Sequence, residues 1–145
     1  MERHIRVLIG CNESAVVDAV RILLTATAQN GRTYRFTASS RSDEFIEQAR
    51  SGEFDLAIMH TNCLSPTQPF TPLENALYAV QHIKTSVPLK LIAITTMDEW
   101  VAPLRASGAD VCLKAPIAVD QLLAAVTTRF EFRPPIHPLA EGNSG

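Results

Sequence analysis

Five times along this chain a short apolar run is followed by a stretch with helical spacing, and that alternation constrains its fold more than anything else in it. The runs are HIRVLIG at 4–10, TYRFTA at 33–38, FDLAIMH at 54–60, VPLKLIAIT at 87–95 and DVCL at 110–113. Runs this short read as strands, and a nearly unbroken apolar run suits a strand covered on both faces. The second differs: Tyr34 and Phe36 alternate with polar residues, as on a more exposed strand.

Helical signals fill the intervals. Val16, Val20, Leu23 and Leu24 recur at helical spacing ahead of an Asn30-Gly31 stop. Asn12 is placed to cap this first helix. Ser40-Arg41-Ser42-Asp43 offers a capping box for a second helix with Phe45, Ile46 and Ala49 inward, stopping at Ser51-Gly52. The Pro-rich loop TNCLSPTQPF then leads to Thr71-Pro72-Leu73-Glu74, with a Thr cap, Pro at the first helical position and Glu at the third. That is the clearest helix start in the chain, and it predicts Leu73, Leu77, Val80 and Ile83 on one side. Thr96 with Glu99 predicts a fourth helix ending at Ser107-Gly108, short or distorted because Pro103 falls inside it. The fifth, IAVDQLLAAVTTRF, turns Leu122, Leu123 and Val126 inward, and a Pro/Gly/Ser-rich stretch follows. Residues 1–129 are read as one domain and 130–145 as a loose tail.

Strands alternating with helices through short connections force a parallel sheet with helices on both faces. Right-handed crossovers leave few topologies, and the doubly wound, flavodoxin-like α/β order 2-1-3-4-5 is expected for five strands in 145 residues. A net charge of −2 supplies no electrostatic footprint for nucleic acid or an anionic membrane surface. No apolar run approaches the roughly 20 residues that span a bilayer, and MERHIRVLIG lacks the long apolar core of a secretory signal. Cys11, Cys63 and Cys112 are an odd number without CxxC spacing, which fits a reducing cytosol better than a disulfide framework. A cytoplasmic location is expected.

Four passages carry a resemblance. IRVLIGCNE, ASSRSDEFIEQARSGEFDLAIMH, PLKLIAITT and ASGADVCLKAPIAVDQLL resemble, in order and spacing, the receiver domain of bacterial two-component response regulators. The resemblance runs from about Ile5 to Val126 and implies a domain that takes a phosphoryl group onto an aspartate ending the third strand. Two acidic residues after the first strand would hold Mg²⁺, a lysine after the fifth would pair with the phosphate, and a hydroxyl ending the fourth would report its arrival.

The residues at those positions change the expectation. Cys11 and Asn12 stand at the acidic pair, His60 at the acceptor and Ala115 at the lysine, with Lys114 one place early and expected to point the other way. Thr95 alone matches. A hard Mg²⁺ wants carboxylate oxygens, which a thiol and an amide do not supply, so no conventional Mg²⁺ binding and no other cofactor is expected. The resemblance thus implies a pseudo-receiver, with the fold kept and the aspartyl-phosphate switch lost.

Three readings stand for His60: a partly buried histidine bonded to the following loop, a soft-metal ligand with Cys11 and Cys63 suited to Zn²⁺, or a phosphohistidine. Cys11 is a candidate reactive thiol and Cys112 a small packed hydrophobe. Ala115-Pro116 sits where receivers have a cis bond. The resemblance also implies a partner face along the fourth helix, fifth strand and fifth helix, marked by Trp100, Leu104, Asp110 and Cys112. A non-enzymatic, phosphorylation-independent interaction module is expected, contacting a histidine kinase or downstream regulator or pairing as a homodimer, with no nucleic acid and no membrane. With no output domain in the chain, any effect on transcription or motility is expected to run through another protein or a further segment. The competing expectation is a small-ligand or soft-metal sensor using the vacated pocket at the strand ends. GCNESA carries one glycine and fails the dinucleotide-loop pattern, and nothing forms a nucleophile–base–orienter set.

Overall fold

The computed structural model describes residues 3–26, 32–116 and 119–127. Strands and helices alternate as β1 (Arg3–Gly10), α1 (Ser14–Ala26), β2 (Arg32–Ser39), α2 (Ser42–Arg50), β3 (Leu56–His60), α3 (Pro72–Lys84), β4 (Lys90–Thr95), α4 (Asp98–Ser107), β5 (Val111–Lys114) and α5 (Val119–Thr127). All neighbouring strands pair in parallel, in the order β2-β1-β3-β4-β5. This is the doubly wound topology that the alternation required.

Register explains why the apolar runs are unbroken. Ile9, Ile58, Ile92 and Val111 are in line across β1, β3, β4 and β5. Because side chains alternate faces along a strand, each run feeds two cores. Leu8, Ala57, Met59, Leu91 and Ala93 pack with Phe45, Ala76, Ala79, Val80, Ile83 and Leu104 from α2, α3 and α4. Ile5, Val7, Ile9, Leu56, Ile58, Ile92 and Ile94 pack with Val17, Val20, Leu24, Leu122 and Val126 from α1 and α5. Phe45 lies against the backbone where β1 ends: a Cβ on Gly10 would come within 2.7 Å of its ring. Among the described residues no helix is long and apolar enough to cross a membrane.

Several local expectations change. On α1 the buried residues are Val17, Val20 and Leu24, while Val16 and Leu23 are half-buried, because the helix starts at Ser14 and its core-facing stripe runs one position later. The box at 40–43 does not form. Arg41 is the cap residue and makes no side-chain cap bond, because a guanidinium has no acceptor; the first-turn Ser42 N–H donates to the Ser65 carbonyl at 2.8 Å. The box at Thr71 does form, with Glu74 N–H donating to Thr71 Oγ1 at 3.2 Å and Thr71 N–H to Glu74 Oε1 at 2.9 Å. Beyond it α3 buries Asn75, Ala76, Ala79, Val80 and Ile83 and leaves Leu73 and Leu77 half-buried, so its inner face is narrower and smaller-chained than expected. Neither does Thr96 cap α4: Met97 is the cap residue, and the helix continues for ten residues through Pro103. The N–H that Pro103 lacks would have reached Glu99, an exposed residue whose carbonyl water can serve. On α5, Leu122 and Val126 are buried as expected. The Leu123 side chain, the Asn30-Gly31 stop and the tail at 130–145 lie outside the described residues.

Candidate functional site

In a parallel sheet every strand ends at the same edge, so the residues that terminate β1, β3, β4 and β5 meet there. Cys11 follows β1, His60 closes β3 opposite Ile94, and Thr95 closes β4 opposite Lys114. Ala115 follows β5, and its N–H donates to the Thr95 carbonyl at 2.8 Å. Ala115-Pro116 is cis.

His60 is half-buried, and its Nδ1 is enclosed without a hydrogen-bond partner. Burial holds its pKa below the ordinary histidine value, with the Glu13 carboxylate pulling the other way. The contact with the following loop runs through its backbone, where the His60 carbonyl accepts Cys63 N–H at 3.0 Å.

Cys11 is 3% exposed and Cys63 9%. Glu13 N–H donates to Cys11 Sγ at 3.4 Å, and Cys11 Sγ–H points to the Glu13 carbonyl at 3.8 Å. Burial first, then Cys11 and Glu13, push the Cys63 thiol up to about 12. Asn12 does not cap α1; the Glu13 carbonyl accepts the first helical bonds from Val16 and Val17, and the Asn12 amide instead donates to Ser65 Oγ at 2.8 Å.

That last bond is one of a set joining the β3–α3 loop to each neighbouring strand end. Asn12 N–H donates to the Cys63 carbonyl at 2.6 Å, and Ser65 N–H to the Ser40 carbonyl at 2.9 Å. The Thr61 N–H and hydroxyl both donate to the Ile94 carbonyl, at 2.8 and 3.0 Å. Asn62 Oδ1 accepts Thr96 N–H at 3.1 Å, and the Asn75 amide donates to the Leu64 carbonyl at 3.0 Å. The loop is thus tied on every side by neutral groups.

Thr95 and Lys114 both have local partners. Thr95 is fully buried, and its hydroxyl accepts Met97 N–H at 3.1 Å, which shapes the turn into α4. Lys114 turns to Asp98 at 3.0 Å, on the opposite face from Ala115, as alternation along the strand dictates. Among the described residues no group of three or more His, Cys, Asp and Glu side chains converges as a metal-binding set, so Cys11, His60 and Cys63 do not gather around a Zn²⁺ position. The donors also do not fit Mg²⁺: a buried thiol, an amide committed to Ser65 and an enclosed imidazole nitrogen offer no carboxylate oxygen.

The expected partner face is corrected in two places. Leu104 is 0% exposed and belongs to the core under α4. Asp110 binds inward, its Oδ2 accepting Lys84 Nζ at 2.8 Å and Leu91 N–H at 2.7 Å. Trp100 and Cys112 are half-buried against the same core, and burial raises the Cys112 thiol pKa against a lowering by Arg105.

Sequence reasoning overlooked Ser65, Asn62 and Asn75. Asn75 left a signal, being a polar residue in helical step with the apolar Ala79 and Ile83. The other two left none, because their partners lie about thirty to fifty residues away.

No family model matches the chain, and no curated protein matches it. Solved structures do. A CheY-like response-regulator receiver domain protein from Methanospirillum hungatei is 18% identical, with a TM-score of 0.66 over 88% of this chain and 94% of its own. The receiver domain of a sensor histidine kinase from Pseudomonas aeruginosa, solved with a magnesium ion in its active-site cleft, is 14% identical, with a TM-score of 0.69 over 88% of this chain and 98% of its own. A LuxR-family DNA-binding response regulator from Staphylococcus aureus is 12% identical, with a TM-score of 0.67 over 86% of this chain and 97% of its own. The fold is that of response-regulator receiver domains.

Proposed function

We propose that this chain is an atypical receiver, a non-enzymatic signalling module that acts through protein contact without an aspartyl-phosphate switch. The observation that carries the reading is the neutral set of residues at the strand ends, with Asn12 and the His60 carbonyl tied to the β3–α3 loop. Cys11 and Asn12 stand where Mg²⁺ would need carboxylates, His60 where the acceptor would be, and Ala115 where the phosphate would need a cation. Thr95, which a switch would use, is engaged by Met97, and Lys114, one place early, is engaged by Asp98. The partner expected from the fold is a histidine kinase or a downstream regulator, with the half-buried Trp100 on α4 as the contact residue.

The test is an amide NMR spectrum with and without Mg²⁺ plus beryllofluoride, a stable phosphoryl mimic. Resonances of Cys11, His60, Thr95 and Lys114 are expected to stay in place. Saturable shifts at these residues that extend into α4 would overturn the proposal.

A further inference from the structure

The two buried thiols at the ends of β1 and β3 have no role in the reading above, and their placement suggests one. We propose that Cys11 and Cys63 are an oxidation site, forming a reversible disulfide with each other when the protein meets a hydroperoxide.

Three features carry this. First, the backbones are already at the right separation. Asn12 N–H donates to the Cys63 carbonyl at 2.6 Å, a bond of the type that joins neighbouring strands. Strands joined this way lie about 5 Å apart, within the roughly 4.4–6.8 Å between Cα atoms that a disulfide spans. Second, both side chains are buried in the same apolar core beside α1 and α5. Third, the remaining cysteine is on the wrong side of the sheet, since Cys112 packs with the core under α2, α3 and α4. The sheet separates it from the pair.

The thiols also differ in a way that assigns an order. Cys11 Sγ accepts an amide N–H from Glu13 at the start of α1, so a donor already faces the sulfur that reacts first. Burial, with Cys11 and Glu13 beside it, keeps the Cys63 thiol protonated. The Cys11 sulfur attacks one oxygen of the hydroperoxide; a new S–O bond forms, the O–O bond breaks, and the leaving oxygen takes the thiol proton and departs as water or an alcohol. The Cys63 sulfur then attacks the Cys11 sulfenic sulfur, the S–S bond forms, the S–O bond breaks, and the departing hydroxide takes the Cys63 proton as water. Two thiols lose two electrons, and the peroxide gains them. The product staples the β3–α3 loop to the end of β1, and a dithiol reductant reverses it.

The experiment is peptide mapping of the full chain after exposure to hydrogen peroxide and alkylation of the remaining thiols. Trypsin places each cysteine in its own peptide: Val7–Arg21, Ser51–Lys84 and Ala106–Lys114. The expected result is one intramolecular cross-link, between the first two peptides, with loss of two hydrogen masses, disappearance on dithiothreitol treatment and Cys112 left outside it. A parallel sample oxidised in urea should scatter the links over all three pairs. The proposal is overturned if the folded protein scatters them likewise, or if Cys11 and Cys63 remain alkylatable after peroxide. Stable sulfinic acid at Cys11 without a link also overturns it, because Cys63 would then be out of reach.

Discussion

The two ends of the sheet are held by different chemistry. At the amino end, carboxylates do the joining. Asp55 accepts the Arg6 N–H at 2.9 Å and pairs with its guanidinium at 3.3 Å, raising the Arg6 pKa; Asp110 accepts the Leu91 N–H and Lys84 Nζ. At the carboxyl end the joints are amides, hydroxyls, thiols and backbone groups, and the Lys114–Asp98 pair lies exposed at the margin. In an open α/β sheet the carboxyl end is where chemistry is done. Here the buried ionic groups serve the end that only builds the fold. Topology depends on the apolar runs and the crossovers, so it survives when the chemistry at the strand ends is replaced.

The largest effect that separates the two ends is expected at Asp110. Its carboxylate and the Lys84 ammonium are 16% and 19% exposed, so Asp110→Ala leaves a half-buried cation and an unpaired strand N–H. The loss should be about 2–4 kcal/mol in urea unfolding. A loss under about 1 kcal/mol would mean that Lys84 finds water or its bond to the Leu89 carbonyl sufficient.

The carboxyl end should show itself instead through acid. Burial disfavours the charged form of His60, so its folded pKa lies below the unfolded value of about 6.5. Above that pH both states are neutral and the contribution to stability is flat. Below it the unfolded chain takes up a proton that the folded site resists, so stability falls as pH drops. Urea midpoints followed from pH 8 down to about pH 5 should fall more steeply in the wild type than in His60→Gln. Parallel curves would show that the imidazole is not shielded from solvent.

Smallest is the effect of Asp55→Ala at the amino end. Arg6 and Asp55 keep 47% and 38% exposure, so solvent screens the pair. The loss should be well below that of Asp110→Ala and shrink further in high salt. Equal losses at the two aspartates would erase the distinction between a half-buried joint and a surface one.

Much of this was legible from the residues in order. The alternating runs required the parallel sheet, Thr71 and Glu74 announced the start of α3, and Ser51-Gly52 its predecessor's end, with Gly52 at a φ of 83°. Local rules govern these features, since capping and turns involve residues three or four apart. The capping errors share a cause: at Asn12, at Ser40–Asp43 and at Thr96 a local cap is expected, and in each case the segment bonds to the β3–α3 loop instead.

What the sequence determined by itself is therefore the topology and the identity of the residues at each strand end, because periodicity and strand order follow from the chain alone. Only the tertiary structure decided what those residues touch. It sent Asn12 to Ser65 and Asp110 to Lys84 and Leu91, hid Leu104, and set Cys63 beside Cys11 from 52 positions away. Hydrogen bonds and thiol contacts act over a few ångströms, whereas the sheet brings together segments widely separated in sequence. Pairings of that kind leave no period to read.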